Sequence, residues 1–393
     1  MDIGNLNSNL KIIRFLAGKK KEVFLFLTTA FFTLVISIFF VEKLHWAKNK
    51  SNWVCEICQF DSALGWALTP SKTISNSKAT YTSNSSGFRS REVDPSKDHI
   101  LVIGDSVAFG VGVSDDETLP HYLEHEFNHY QVLNLAVPGY SLDQYYLTLK
   151  KHISKTNVKL VIAIIFTGND WQETGQDNMF GISKPFFKIN NNQLVLTNEK
   201  ISRYTCNNIF SRSWTIKTLS LKNLRRYVCK PKKLDEKSAR KVIIALLDKI
   251  NALTHQNNAR LLFVITPTLY DLILQACNKE KASFAFCLRN KNKDLPFLMK
   301  PIAEKSGSEG AAQEFIKRFS GFGVLLSRFQ QVFEKSRFNH IDFFHEIAQE
   351  DLDASSLYNR EPYHFSPKGN KFLAKTIYSH LVKNQTIPVY GKD

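Results

Sequence analysis

The sequence predicts an α/β protein built on a parallel sheet and carried behind one N-terminal membrane-spanning helix. Three observations lead there. Apolar runs at residues 100–103, 132–135 and 160–166 each stop at a polar or glycine-containing tip, as strands buried on both faces do. Helical periodicity fills the intervals between them, so strand and helix alternate from residue 98 onward. Residues 23–41 hold 19 residues without a charge, close to the ~20 that cross a bilayer core.

The chain has 393 residues and 43% hydrophobic residues, enough to bury a sizeable core. Its formal net charge is +16. Residues 1–50 hold eight Lys and Arg against three acids, so most of the surplus lies further along. A spread cationic surplus favours anionic surfaces such as phospholipid or acidic glycan, and no nucleic-acid-binding module is present.

Residues 1–22 are polar and carry Lys11, Arg14, Lys19, Lys20 and Lys21 ahead of the apolar span. That order predicts a signal anchor with its N-terminus in the cytoplasm and the rest of the chain outside, in a periplasm or an equivalent compartment. The apolar run is longer than a signal peptide core, and no small-x-small cleavage site follows it. All six cysteines follow the span, and an even count in an exported domain suggests disulfides. Six cysteines allow about 15 pairings, of which the local choice is Cys55–Cys58, Cys206–Cys229 and Cys277–Cys287. A zinc site at Cys55 and Cys58 would want a second tight pair, which is lacking.

Residues 42–97 read as an irregular lead-in that packs through Trp66 and Phe88, with solvated Ser/Asn-rich stretches between. The domain proper spans 98–393. Its first strand is 100–103, and Asp115 to Glu117 cap a helix running to about His129. The second strand, 132–135, ends in a turn through Gly139. A helix over 141–154 puts Leu142, Tyr145, Tyr146 and Leu149 on one face. The third strand, 160–166, ends in Thr167-Gly168-Asn169-Asp170. Residues 171–235 form an insertion with a β-hairpin, 186–189 with 193–196, and a basic helix at 211–228. Alternation resumes with a helix at 237–255 and a strand at 261–266. A lysine-rich insertion occupies 277–308. A helix over 311–335, broken near Gly321 and Gly323, leads to a last strand at 341–344. Ser366 and Pro367 then start a closing helix that buries Leu373, Ile377 and Leu381.

The chemistry gathers at strand tips. Gly104-Asp105-Ser106 ends the first strand, where Gly104 permits a sharp turn and Gly110 and Gly112 leave room for a ligand. A serine hydroxyl needs a base. Of the 11 histidines, His364 is placed best, after the last strand and just before a capped helix. His121, His125 and His129 share one helix without an acidic partner and read as structural. Glu361, three residues before His364, can orient the imidazole; a backbone carbonyl is the alternative. An oxyanion formed at Ser106 needs donors. The candidates are the backbone N–H groups of Ser106 and Gly139 and the side-chain amide of Asn169. Asp105 and Asp170 are candidate substrate-binding residues.

These blocks resemble the SGNH hydrolase, or GDSL esterase, superfamily. Gly104-Asp105-Ser106 with Gly110 is similar to its first block, Gly139 in NLAVPGYS to its second, Asn169-Asp170 to its third, and His364 before a helix to its last. The resemblance covers about residues 98–170 and 338–382, plus the strand near Leu261. It implies a three-layer flavodoxin-like fold, Ser106 as nucleophile, His364 as base, and Gly139 and Asn169 as oxyanion donors. It implies no metal or other cofactor. Two positions depart from the family pattern: Thr167 stands where Gly-x-Asn-Asp has its glycine, and Glu361 where Asp-x-x-His has its aspartate. The implied activity is acyl transfer from an ester through an acyl-serine. With the membrane anchor, the expected substrate is an O-acylated envelope glycan or lipid. An O-acyltransferase acting on surface polysaccharide, or a silent SGNH-like domain that binds glycan or scaffolds an assembly, are the alternatives.

Overall fold

The structure is a computed structural model, and it describes residues 20–48, 55–179, 182–201, 232–279, 321, 323–350, 354–359 and 362–386. The chain divides into two compact units. One comprises residues 1–52 and 206–230, the other 53–205 and 231–393.

In the first unit the described element is helix α1, Lys20–Lys48. Its stretch from Lys20 to Val41 is 22 residues long and apolar enough to cross a membrane, about 33 Å at 1.5 Å per residue. Its large apolar side chains, such as Phe24, Phe31 and Phe39, are exposed rather than packed into a protein core.

The second unit opens with two hairpins, β1 (Cys58–Asp61) with β2 (Gly65–Leu68) and β3 (Thr73–Ser75) with β4 (Thr80–Thr82). Then follow β5 (Asp98–Ile103), α2 (Ser106–Phe109), α3 (Leu119–Glu126), β6 (Tyr130–Asn134), α4 (Leu142–His152), β7 (Val158–Phe166) and α5 (Asp170–Thr174). Two small hairpins come next, β8 (Asn178–Met179) with β9 (Ile182–Ser183) and β10 (Phe187–Asn190) with β11 (Gln193–Leu196). The unit continues with α6 (Glu236–Gln256), β12 (Arg260–Thr266), α7 (Leu269–Lys279), β13 (His340–Asp342), α8 (Phe343–Gln349) and α9 (Pro367–Lys383).

Five strands make one sheet in the order β13-β12-β7-β5-β6, with every pair parallel. Counted along the chain this is 2-1-3-4-5, the flavodoxin-like order, whose direction of winding reverses between β5 and β7. The register sets Ile100 opposite Val132 and Leu160, and Phe263 opposite Ala163. Ile100, Leu101 and Val102, and all of Leu160 to Ile165, are fully buried, as expected where helices cover both faces. Helices joining the parallel strands lie on the two faces of the sheet. Accordingly α3 packs on α9, and α4 packs on α6.

Local chemistry sets the helix starts. The Gln144 side chain accepts from the Ser141 N–H at 3.3 Å at the start of α4. Asp235 accepts from Ser238 N–H at 3.0 Å ahead of α6. Ser366 accepts from Gly369 N–H at 3.2 Å, with Pro367 in the first turn of α9. On α9, Leu373, Ile377 and Leu381 are fully buried. In the β10–β11 turn, Asn191 and Asn192 take positive φ, 46° and 60°, which asparagine tolerates in tight hairpins.

Several expectations are corrected. The last strand stops at Asp342 rather than at residue 344, because the Asp342 carboxylate accepts from Phe344 N–H at 3.1 Å and starts α8 there. The helix after Asp115 is a separate 3₁₀ turn over Asp115–Glu117 followed by α3, which ends at Glu126 rather than near His129. Within the expected 42–97 lead-in, residues 42–48 continue α1, and residues from 53 onward belong to the second unit and hold two hairpins. Trp66 is fully buried there, donates from Nε1 to Pro138 O at 2.9 Å, and lies 5.8 Å from the Tyr140 ring. Cys55 and Cys58 are disulfide-bonded, with 5.3 Å between their Cα atoms. The expected pairings of Cys206 with Cys229 and Cys277 with Cys287 lie outside the described residues, as do the basic helix at 211–228 and residues 280–308.

Truncation of Trp66 leaves a cavity against the loop before α4 and removes a buried hydrogen bond. Trp66→Ala is expected to lower unfolding stability by about 3–5 kcal/mol, measured by denaturant titration of the detergent-solubilised chain; an unchanged midpoint would contradict this packing role.

Candidate active site

Ser106 follows β5 after a two-residue link and opens α2. Gly104 has an ordinary φ, so the turn does not demand its conformational freedom. It is there because a Cβ would meet the Ala108 Cβ at 2.5 Å. Gly110 and Gly112 do need positive φ, 89° and 88°. The space beside them is filled by protein rather than left for a ligand: Thr118 and Arg89 crowd Gly110, and Asn359 lies against Gly112.

Arg89 is the main residue that the sequence reading missed. Its side chain is buried and donates to Phe109 O (2.8 Å), Gly110 O (2.7 Å), Val113 O (2.8 Å) and Thr80 O (3.1 Å), and pairs with Asp115 at 2.8 Å. One guanidinium thus satisfies the carbonyls of the loop that follows the nucleophile. The available signal was a lone arginine within the Phe88-containing motif, already marked as a packing element.

His364 precedes α9. Its carbonyl accepts from Asn359 N–H at 2.8 Å, and the Asn359 amide donates to Phe365 O at 3.1 Å. This pins the loop between the 3₁₀ turn Ala354–Leu357 and α9. His364 Nε2 lies 3.0 Å from Ser106 Oγ across a sequence separation of 258. The two residues proposed as nucleophile and base are therefore hydrogen-bonded. Glu361 lies outside the described residues.

The three expected oxyanion donors sit on loops after consecutive strands, β5, β6 and β7. Val137 N–H donates to Gly104 O at 3.3 Å, which ties the Gly139 loop to the Ser106 loop. Gly139 has φ 78°, a conformation reserved in practice for glycine. Asn169 caps α5, and its Nδ2 donates to Glu173 Oε2 at 3.0 Å.

Asp105 and Asp170 do not face substrate, which corrects their expected binding role. Both are fully buried. Asp105 accepts from Val107 N–H at 2.9 Å and caps α2. Asp170 accepts from Tyr145 Oη at 2.9 Å and from Phe166 N–H at 2.8 Å. These carboxyls hold the strand-tip loops in shape. Burial pushes Asp105 up to about 6, against the bonds from Val107 and Asn169 that favour its ionised form. Burial, then the proximity of Asp105, raises Asp170 well above the carboxylate range. Burial pushes Glu173 up to about 8, with Lys184 opposing and Asp105 and Asp143 adding to the rise. The Thr167 hydroxyl lies 3.2 Å from both Thr266 O and the buried Asp271 carboxyl, its one proton serving either. It ties the β7 tip to the β12 tip.

No family model matches the chain, and no curated protein matches it. Among solved structures it is similar to the psychrotrophic esterase EstA from Pseudoalteromonas sp., at 13% identity over 74% of this chain and 99% of that one, with a TM-score of 0.34. It is similar to the lipase/acylhydrolase from Enterococcus faecalis at 9% identity, over 75% and 100% of the two chains, with a TM-score of 0.33. A member of the lipolytic protein G-D-S-L family from Veillonella parvula DSM 2008 gives 9% identity, 73% and 97% coverage, and a TM-score of 0.32. Likenesses this distant carry no weight in assigning chemistry; that rests on the geometry of Ser106 and His364.

The raised Asp105 carboxyl predicts a pH effect. The folded state binds its proton more tightly than the unfolded state, so this group's contribution falls as pH rises from about 4 to about 6. Asp105→Asn keeps an acceptor for Val107 N–H. Its stability is expected to decline less across that window than wild type, by urea titration at each pH; a parallel decline in both proteins would show that Asp105 is not the group responsible.

Proposed function

We propose that this protein is a serine ester hydrolase of SGNH type that works through an acyl-serine. The carrying observation is the 3.0 Å contact between His364 Nε2 and Ser106 Oγ. In this reading His364 takes the Ser106 proton as Oγ attacks the acyl carbonyl. Negative charge then develops on the carbonyl oxygen, and the N–H groups of Ser106 and Gly139 with the Asn169 amide stabilise it. The imidazolium returns its proton to the leaving alcohol. Water, activated by the same histidine, releases the acid and restores Ser106. Glu361 is the proposed acid that orients His364.

The substrate proposed is an O-acylated glycan or lipid of a cell envelope. An N-terminal helix able to cross a bilayer, basic residues ahead of it, and a net charge of +16 support a catalytic unit held outside the cytoplasmic membrane near anionic surfaces. The Cys55–Cys58 disulfide fits an oxidising compartment such as the periplasm.

The test uses the full chain in detergent, p-nitrophenyl acetate and a fluorophosphonate label. Wild type is expected to turn over and to label at Ser106; Ser106→Ala is expected to lose turnover by about 10³-fold or more, and all labelling. A wild type with neither activity points to the silent binding domain and sinks the hydrolase reading. Acylated sugar appearing when oligosaccharide is added would redirect it to transfer. Glu361→Gln is expected to lower kcat by about 10²-fold or more with little change in KM; an unchanged kcat removes Glu361 from the mechanism.

A further inference from the structure

A cavity of about 830 Å³ opens beside α5, within the ~300–1,000 Å³ range of small-ligand sites. Trp171 of α5, Leu274 of α7 and Val324 give it apolar walls, and Lys237 and Arg240 of α6 with Gln331 give it polar ones. Topology sets this cavity on the edge of the sheet that carries Ser106. Helix α5 leaves the tip of β7, and α7 leaves the tip of β12. Just ahead of α6, Leu234 N–H donates to Gly175 O at 2.9 Å, which pins the start of α6 to the end of α5. Ser106 lies at the tip of β5, the neighbour of β7 in the sheet.

The charges around the cavity do not cancel. Glu236 is engaged twice: Oε1 accepts from Trp171 Nε1, and Oε2 pairs with Arg328 Nη1, each at 3.0 Å. The Arg328 guanidinium also lies 5.7 Å from the centre of the Trp171 ring, within cation–π reach. The Lys237 and Arg240 side chains have no ion pair among the described residues. They occupy the opening turns of α6, where the helix dipole is positive and favours acids. Two cations without a counter-charge, added to that positive helix end around a concave wall, make a potential well for an anion.

We propose that this cavity is a subsite for an acidic sugar of the acylated glycan. Lys237 and Arg240 hold its carboxylate or phosphate, and the ring rests against Leu274 and Val324. The proposal deepens the hydrolase reading by naming the glycan as acidic, and it rests on that reading. A sugar ring has apolar faces edged by hydroxyls, which suits walls where aliphatic and polar side chains alternate. A lipid tail in the same place would strand cations against hydrocarbon. Neither cation takes part in the chemical step; both act on binding.

The experiment titrates the full chain in detergent by calorimetry, at about 0.1 M salt so that screening stays moderate. The probes are tetragalacturonate, mannose phosphate, the neutral maltotetraose, and glycerol phosphate as a lipid headgroup. At least one acidic saccharide is expected to bind about 10-fold or more tighter than maltotetraose and glycerol phosphate, and the stronger of the two identifies the acid. The double variant Lys237→Gln, Arg240→Gln is expected to weaken that binding by about 10-fold or more, with its thermal midpoint near wild type. Should the double variant not fold, the exposed Lys237→Gln decides alone, with an expected loss of about threefold. Acidic saccharides that bind no better than maltotetraose, or unchanged affinity in a folded variant, overturn the proposal. Preference for glycerol phosphate overturns it in favour of a lipid headgroup. Fluorophosphonate labelling of Ser106 in the same samples separates the two levels. A wild type that does not label defeats the hydrolase reading and the substrate subsite with it, whereas labelling without acid-selective binding defeats only the subsite.

Discussion

The contact between Ser106 and His364 depends on a single constraint: parallel strands end on one edge. Residues 258 apart in sequence meet because β5 lies in the sheet's interior and the chain returns beside that edge after β13. In the order 2-1-3-4-5, the loops after β5 and β7 diverge to opposite faces and leave a crevice where winding reverses. Ser106 follows β5 and Asn169 follows β7, so both sit beside that crevice. The core strands, buried on both faces, make the edge rigid enough to hold such loops in place.

Around that edge the loops are tied to one another rather than merely close. Arg89 gathers the carbonyls after α2, Val137 bonds to Gly104, Thr167 bridges to Asp271, and Asn359 braces the histidine loop. All but the Asn359 brace join segments distant in sequence, and most are buried. Beneath them the acids Asp105, Asp170 and Glu173 share a buried cluster with Tyr145 and Lys184. Burial disfavours the charged form of each, most strongly for Asp170 and Glu173, which shape the loops mainly as neutral, hydrogen-bonding groups.

Much of this was legible in the residues. Unbroken apolar runs gave away the strands, and the Ser366-Pro367 start of α9 located His364. What escaped involved partners far away in sequence. Nothing local to Arg89 says that five acceptors converge on it. The short hairpins of residues 58–82 have too few residues for a clear period, and Trp66 seals them to Pro138 by tertiary contact. Phe343 and Phe344 read as strand because they are apolar; the capping bond from Phe344 N–H to Asp342 overrides that pattern. Glycines misled in a different way. Gly104 is required by the nearness of Ala108, which only the packed helix reveals. Asp105 and Asp170 suggest ligand contact by their type and place, yet both are fully buried, Asp105 capping α2 and Asp170 accepting from Tyr145 and Phe166 N–H.

The Arg89 clamp makes the hairpin segment part of the machinery downstream of it. Were the chain trimmed to begin at the first core strand, the carbonyls of Phe109, Gly110 and Val113 would lose their common donor, and Pro138 would lose the indole that covers it. A piece that keeps these ties therefore starts ahead of the first hairpin.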